Sequence, residues 1–159
     1  MGKHPKTNAV RLVEAARLPY EVHQYEYDEN DLAATHVAEA LGQDIRRIFK
    51  TLVLRGERTG LFVCVVPGDG EVDLKKAAVA AGDKKADLIA MKELLPATGY
   101  IRGGCSPIGM KKPLPTFFHT TALDFPTIYV SAGVRGMQIE MNPQQLIDFV
   151  GAEVKDLVR

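Results

Sequence analysis

The chain has no apolar run approaching the roughly 20 residues that cross a bilayer. Its first residues, Met1-Gly2-Lys3-His4-Pro5-Lys6, do not lead into the apolar core of a signal peptide. Its only cysteines are Cys64 and Cys105, too few for a disulfide framework, so a reducing cytoplasm is the expected setting. Net charge is also missing: 20 basic and 20 acidic side chains cancel, which argues against a strongly basic binder of nucleic acid, and no DNA partner is expected. His4, His23, His36 and His119 are scattered and no His-Glu-x-x-His or Cys-x-x-Cys spacing occurs, so each reads as a surface or strand residue, and neither a metal nor a cofactor is expected. The phosphate-loop pattern Gly-x-x-x-x-Gly-Lys-Ser/Thr is absent. So is the nucleophile elbow Gly-x-Ser-x-Gly: Ser106 sits in Gly104-Cys105-Ser106-Pro107-Ile108, where the proline removes the amide that an elbow uses for its oxyanion hole.

What remains is ordinary globular composition, 46% apolar and 25% charged over 159 residues, enough for one domain spanning 1–159 with a single core. Thr7 or Asn8 can cap a first helix that Pro19 ends. Residues 20–27 alternate with period two and read as a half-buried strand, followed by a polar turn at 28–31. A second helix begins near Ala34 and stops at Gly42. Two apolar runs, 49–55 and 61–66, flank a short polar loop and predict a β-hairpin, broken by Pro67-Gly68-Asp69-Gly70. Asp73 can cap a helix through Ala81. A weaker strand at 86–90 and a short helix at 91–95 before Pro96 lead into the Gly- and Pro-rich stretch 99–115. Strands at 127–131 and 137–141 surround a glycine turn, and Asn142-Pro143 starts a last helix ending near Gly151. Strand pairs of hairpin type mixed with helices, without βαβ alternation, predict an α+β fold with a mixed, largely antiparallel sheet and peripheral helices.

Three features can carry chemistry. In Gly103-Gly104-Cys105-Ser106-Pro107-Ile108-Gly109 the paired glycines let a ligand approach the backbone closely, and such amides can polarise an ester carbonyl; a tight structural turn is the plain alternative. Lys50, inside Phe49-Lys50-Thr51-Leu52-Val53, shares a strand face with Leu52 and Leu54, where its ammonium can bind a carboxylate, a phosphate or a ribose hydroxyl; an aggregation-deterring edge lysine is the alternative. Cys105 could be a presented nucleophile grouped with His119 and Asp124, or a small apolar filler. The pairs Lys75-Lys76, Lys84-Lys85 and Lys111-Lys112 read as solvated surface unless they face one cleft.

Several segments together resemble the YbaK family of free-standing editing deacylases, relatives of the editing domain inserted in bacterial prolyl-tRNA synthetases. They are Tyr25-Glu26-Tyr27-Asp28, Phe49-Lys50-Thr51-Leu52-Val53, Asp73-Leu74-Lys75-Lys76-Ala77, the run from Thr98 through Gly109, Lys111-Lys112, Leu114-Pro115-Thr116 and Ile128-Tyr129-Val130-Ser131-Ala132-Gly133-x-Arg135-Gly136. The resemblance implies a curved sheet or barrel surrounded by helices, and hydrolysis of a wrong amino acid from tRNA, with Cys-tRNA(Pro) the favoured substrate and prolyl-tRNA synthetase a candidate partner. It implies catalytic roles for Lys50 and Gly103. It assigns substrate contacts to Tyr25, Thr51, Gly104, Ser106, Pro107, Gly109, Ser131, Gly133 and Gln138, and tRNA contacts to Lys75, Lys76, Lys111, Lys112 and Arg135. It further implies no protein nucleophile: the substrate's own thiol attacks its ester and leaves as a thiolactone. Ala33-Ala34 and Gln138 depart from relatives that carry an aromatic residue and an acid there, which bears on amino-acid preference. Removal of another small residue such as alanine, or a non-catalytic module binding tRNA or a synthetase, are the alternatives.

Overall fold

The structure, a computed structural model, describes residues 6–159; His4 and the other residues of 1–5 lie outside them. Among the described residues five α-helices and eight strands follow in the order α1 (Asn8–Ala15), β1 (Glu21–Gln24), α2 (Ala34–Leu41), β2 (Phe49–Gly56), β3 (Gly60–Pro67), α3 (Leu74–Ala80), β4 (Ala86–Leu88), α4 (Leu94–Thr98), β5 (Thr116–His119), β6 (Ile128–Ser131), β7 (Met137–Met141), α5 (Pro143–Val150) and β8 (Glu153–Lys155). The strands form two sheets, β1-β7-β6 and β4-β2-β3-β5-β8. A single parallel bridge, Ile48 to Tyr129, links them into a bent layer instead of a closed barrel. The α+β class holds, but β3–β5 and β5–β8 pair in parallel, so the larger sheet is more mixed than hairpin patterning predicts.

Local chemistry accounts for most of these elements. Thr7 caps α1, its Oγ1 accepting from Val10 N–H, and the helix stops at Ala15, short of Pro19, with Arg17 in the left-handed region at φ 60°. Asp73 caps α3 by accepting from the N–H groups of Lys75 and Lys76. Asn142 caps α5 with Pro143 in its first turn, and Gly151 ends it at φ 70°. The expected hairpin forms over its full length, from Phe49 opposite Pro67 to Gly56 opposite Gly60.

Two expectations need correction, and one strand was not expected. The first strand covers only Glu21–Gln24; Tyr25 N–H still donates to Gly136 O, but the regular pairing with β7 ends at Gln24 opposite Met137. Pro96 does not stop a helix; it lies in the first turn of α4, where a missing N–H costs no helical bond. And β8 had no counterpart among the predicted strands.

Strand alternation divides the interior. Phe49, Val53, Val63 and Val65 point into the largest cluster with Val13, Ile128, Ile139 and Leu146. Leu54, Phe62, Cys64 and Val66 point the other way, under Ala77 and Ala78 of α3. Ile48 and Tyr129 pack beneath Val37 and Ala38 of α2.

Candidate active site

Lys50 lies in the half of β2 that β4 does not cover, since β4 pairs only with Leu54, Arg55 and Gly56. Its flank there is β6. Two residues beyond the isolated Ile48–Tyr129 bridge along each parallel strand come Lys50 and Ser131, on neighbouring strands just past the end of the pairing. The β6–β7 register puts Ser131 opposite Gln138, and β1–β7 puts Gln138 opposite His23. Side chains two apart share a face, so Lys50 follows Ile48, and Ser131 and Gln138 follow Tyr129, onto the face that α2 covers. Lysine, serine and glutamine thus form one row across three strands.

The polar atoms of that row are unevenly satisfied. Lys50 Nζ makes one long contact, 3.4 Å to Gly68 O. Burial lowers its pKa, partly countered by the carboxylates of Asp69 and Glu71. Gln138 is buried and its Oε1 has no hydrogen-bond partner within the protein. Ser131 Oγ accepts from Gly133 N–H at 3.1 Å, fixing the start of the turn after β6.

Two glycine turns close the end of this row. A Cβ on Gly104 would meet the backbone of Val134 and Arg135 at 3.2–3.3 Å, so the two turns abut closely there and a side chain would have to push them apart by a few tenths of an ångström. Arg135 Nε donates to Arg102 O at 2.9 Å across the same junction. Gly103, at φ 84°, packs on Leu32, while Gly68 packs on Ala34. The 32–34 segment therefore walls off both the 103–109 turn and the loop that receives Lys50. Tyr25 sits half-buried against the α2 cluster, with its carbonyl beside Gly136.

Other predicted residues are arranged differently. Thr51 alternates to the opposite face from Lys50, and its Oγ1 is buried without a protein partner. Ser106 is fully buried and its Oγ accepts from Ile108 N–H at 3.2 Å, so with buried Pro107 it shapes the turn from within. Gly109 faces Leu12 and Tyr100. The lysine pairs do not share a cleft. Lys75 and Lys76 start α3, and Lys76 Nζ donates to Asp156 at 3.0 Å and to Val158 O at 2.8 Å. Lys111 and Lys112 are exposed, and Lys112 lines a cavity of about 310 Å³ with Leu12, Ile108 and Phe149, on the side of the sheet opposite α3.

The grouping of Cys105, His119 and Asp124 is not assembled. His119 Nδ1 accepts from Leu157 N–H at 3.0 Å, and burial pushes the Cys105 thiol up to about 11, partly countered by Thr98. Such a thiol is not a thiolate at neutral pH. Cys64 lies in the core, its thiol raised to about 12 by burial. Glu21, His23 and Glu140 bring ligand-type atoms within 4.8 Å of one another. His23 already lies 2.8 Å from Glu140, whose other oxygen faces Arg47 and Thr127, so these charges tie β1 and β7 to the turn before β2.

The resemblance had drawn attention to Ala33-Ala34, but sequence reasoning missed Leu32 and the 67–70 loop beside it. The loop was within reach, since the hairpin register places Val66 opposite Lys50 and so brings the loop alongside it.

A half-buried lysine, a buried amide and a buried hydroxyl on one face, beside two abutting glycine turns, offer a polar ligand both donors and an acceptor. The family model described as the aminoacyl-tRNA editing domain matches residues 29–149. The chain belongs to the aminoacyl-tRNA editing domain family. It is 48% identical over 96% of its length to EbsC of Enterococcus faecalis, covering 93% of that protein, which is provisionally named a Cys-tRNA(Pro)/Cys-tRNA(Cys) deacylase. It is 35% identical over 54% of its length to a proline–tRNA ligase of Thermosipho africanus, of which the match spans 15%. A crystal structure described provisionally as a trans-editing enzyme for prolyl-tRNA synthetase superposes with a TM-score of 0.81 at 26% identity, covering 96% of this chain and 98% of that one. Among the described residues no helix is long and apolar enough to cross a membrane.

Proposed function

We propose that the protein removes cysteine from mischarged tRNA(Pro), acting in trans in the cytoplasm, as one editing domain spanning the chain. Lys50 binds the substrate beside its ester, at the terminal ribose, and the backbone of the 103–109 turn, with Gly103 at its head, holds the aminoacyl carbonyl. Ser131, Gln138 and Tyr25 line the amino-acid side of the pocket.

The observation that carries this reading is the row of Lys50, Ser131 and Gln138, whose outer members keep bonding capacity that the protein does not fill. A buried amide oxygen and a half-buried ammonium without strong partners are costly unless a ligand uses them. Neither thiol of the chain is activated, which agrees with a reaction that needs no protein nucleophile. In that reaction the substrate's sulfur attacks its own ester carbonyl. The new C–S bond forms as the C–O bond to ribose breaks, the thiol proton ends on the ribose oxygen, and cysteine leaves as a thiolactone. Holding thiol and carbonyl in register supplies on the order of 7–11 kcal/mol of the barrier.

The similarity to part of a proline–tRNA ligase and to EbsC supports tRNA(Pro) as the carrier and the synthetase as the source of substrate. Of the lysines assigned to tRNA, Lys75, Lys111 and Lys112 are exposed and meet its phosphates, whereas Lys76 is committed within the fold. Arg135 contributes its remaining guanidinium nitrogens at the rim.

The test is release of amino acid from tRNA(Pro) charged with cysteine, alanine, serine or proline. Cysteine should leave at least tenfold faster than the others, because only it carries a thiol. Equal rates for alanine and cysteine would reject the substrate-assisted route, and binding without release from any of them would reject an enzyme.

A further inference from the structure

Tyr100 has no role in the pocket as assigned above, yet it touches both glycine turns. It follows α4 directly, and its N–H donates to Thr98 Oγ1 at 3.0 Å while that hydroxyl donates to Leu94 O at 2.8 Å. The residue is thereby fixed to the last turn of α4. From there its Oη donates to Ile108 O at 2.5 Å. A Cβ on Gly109 would lie 3.2 Å from that hydroxyl, and one on Gly133 would lie 3.0 Å from Cε1 of the ring. Gly109 and Gly133 have φ of 73° and 102°, so each is a glycine both for its backbone and for the ring beside it. Ile108 is 1% exposed, and the phenol is the donor that reaches its buried carbonyl. Burial pushes the phenol up to about 12, with Cys105 adding to the effect, so it keeps its proton at any ordinary assay pH.

We propose that Tyr100 is a positioning residue for deacylation: a strut from α4 that fixes the far end of the 103–109 turn against the turn after Ser131, and so sets where the aminoacyl carbonyl is held. It touches no reacting atom. The proposal rests on the reading that the 103–109 turn holds that carbonyl. An unbonded Ile108 carbonyl in a dry site would pull the turn towards water. A misplacement of about 1 Å in such a site costs up to 10²-fold in rate.

The variant is Tyr100→Phe, which keeps the ring against Gly133 and removes only the hydroxyl. Steady-state hydrolysis of Cys-tRNA(Pro) is measured beside Lys50→Ala, with rates taken per folded molecule from thermal melts. The expected result is a kcat about ten- to hundredfold lower with KM within about twofold. Amide exchange in the 103–109 turn should be faster, with the β2–β3 hairpin unchanged. A lower Tm with unchanged kcat, or unchanged exchange at the turn, overturns the strut. Wild-type kcat in Tyr100→Phe with Lys50→Ala inactive overturns the strut and leaves the pocket standing. Impaired Tyr100→Phe with fully active Lys50→Ala supports the strut and removes Lys50 from the site.

Discussion

Lys50, on β2, and Lys76, in the first turn of α3, are both lysines and have opposite surroundings. Lys76 spends its ammonium on the structure, donating to Asp156 and to the carbonyl of Val158, and so ties α3 to the C-terminal segment. Lys50 is held half-buried with one 3.4 Å contact, in surroundings that disfavour its charge. A cation whose donors are filled by the protein holds the fold; one that the fold buries and leaves short of partners is available to a ligand. The same contrast separates Asp83 from Gln138. Asp83 accepts from the N–H groups of Arg58, Thr59 and Lys84 and from the Thr59 hydroxyl, whereas Gln138 Oε1 accepts from nothing in the protein.

The contrast can be broken by substitution, and the effects should differ in kind. The largest is on chemistry: Lys50→Ala should lower single-turnover release of cysteine by about 10²–10³-fold, the range found for removing one preorganised electrostatic group. Its Tm should stay level or rise, since a desolvated charge is relieved. Next comes Asp83→Asn, which should lower Tm at neutral pH while leaving the rate per folded molecule unchanged. Its backbone donors hold the Asp83 carboxyl well below the usual carboxylate range. The stabilisation is therefore present above the unfolded value near 3.9 and is lost as pH falls through the folded one, so Tm of the parent should drop more steeply in acid than that of the variant. Smallest is Lys76→Ala, an exposed pair plus one carbonyl bond, with Tm lower by about 2–4 °C and chemistry intact. A rate loss in Lys76→Ala without a Tm change would erase the distinction between the two lysines.

Much of this was legible in the sequence because it is local. The hairpin follows from two apolar runs around a polar turn, α3 from Asp73, and α5 from Asn142 and Pro143. The strand β8 was not, because Glu153-Val154-Lys155 carries little apolar signal and is held by its parallel ladder to β5. For the site, the residue types were legible and their satisfaction was not. Lys75-Lys76 looks like one solvated pair, but Lys76 finds its partners 80 and 82 residues away. Lys50 and Ser131 come onto neighbouring strands only through the bridge between Ile48 and Tyr129, which no local pattern announces. The relation of Tyr100 to both glycine turns likewise depends on contacts across the fold.

The central claim is most directly tested by one paired measurement: single-turnover release of cysteine from Cys-tRNA(Pro) by Lys50→Ala and Lys76→Ala, each normalised to folded protein. Lys50→Ala should lose at least about 10²-fold, and Lys76→Ala should stay within about twofold of the parent. Undiminished release by Lys50→Ala would contradict the claim.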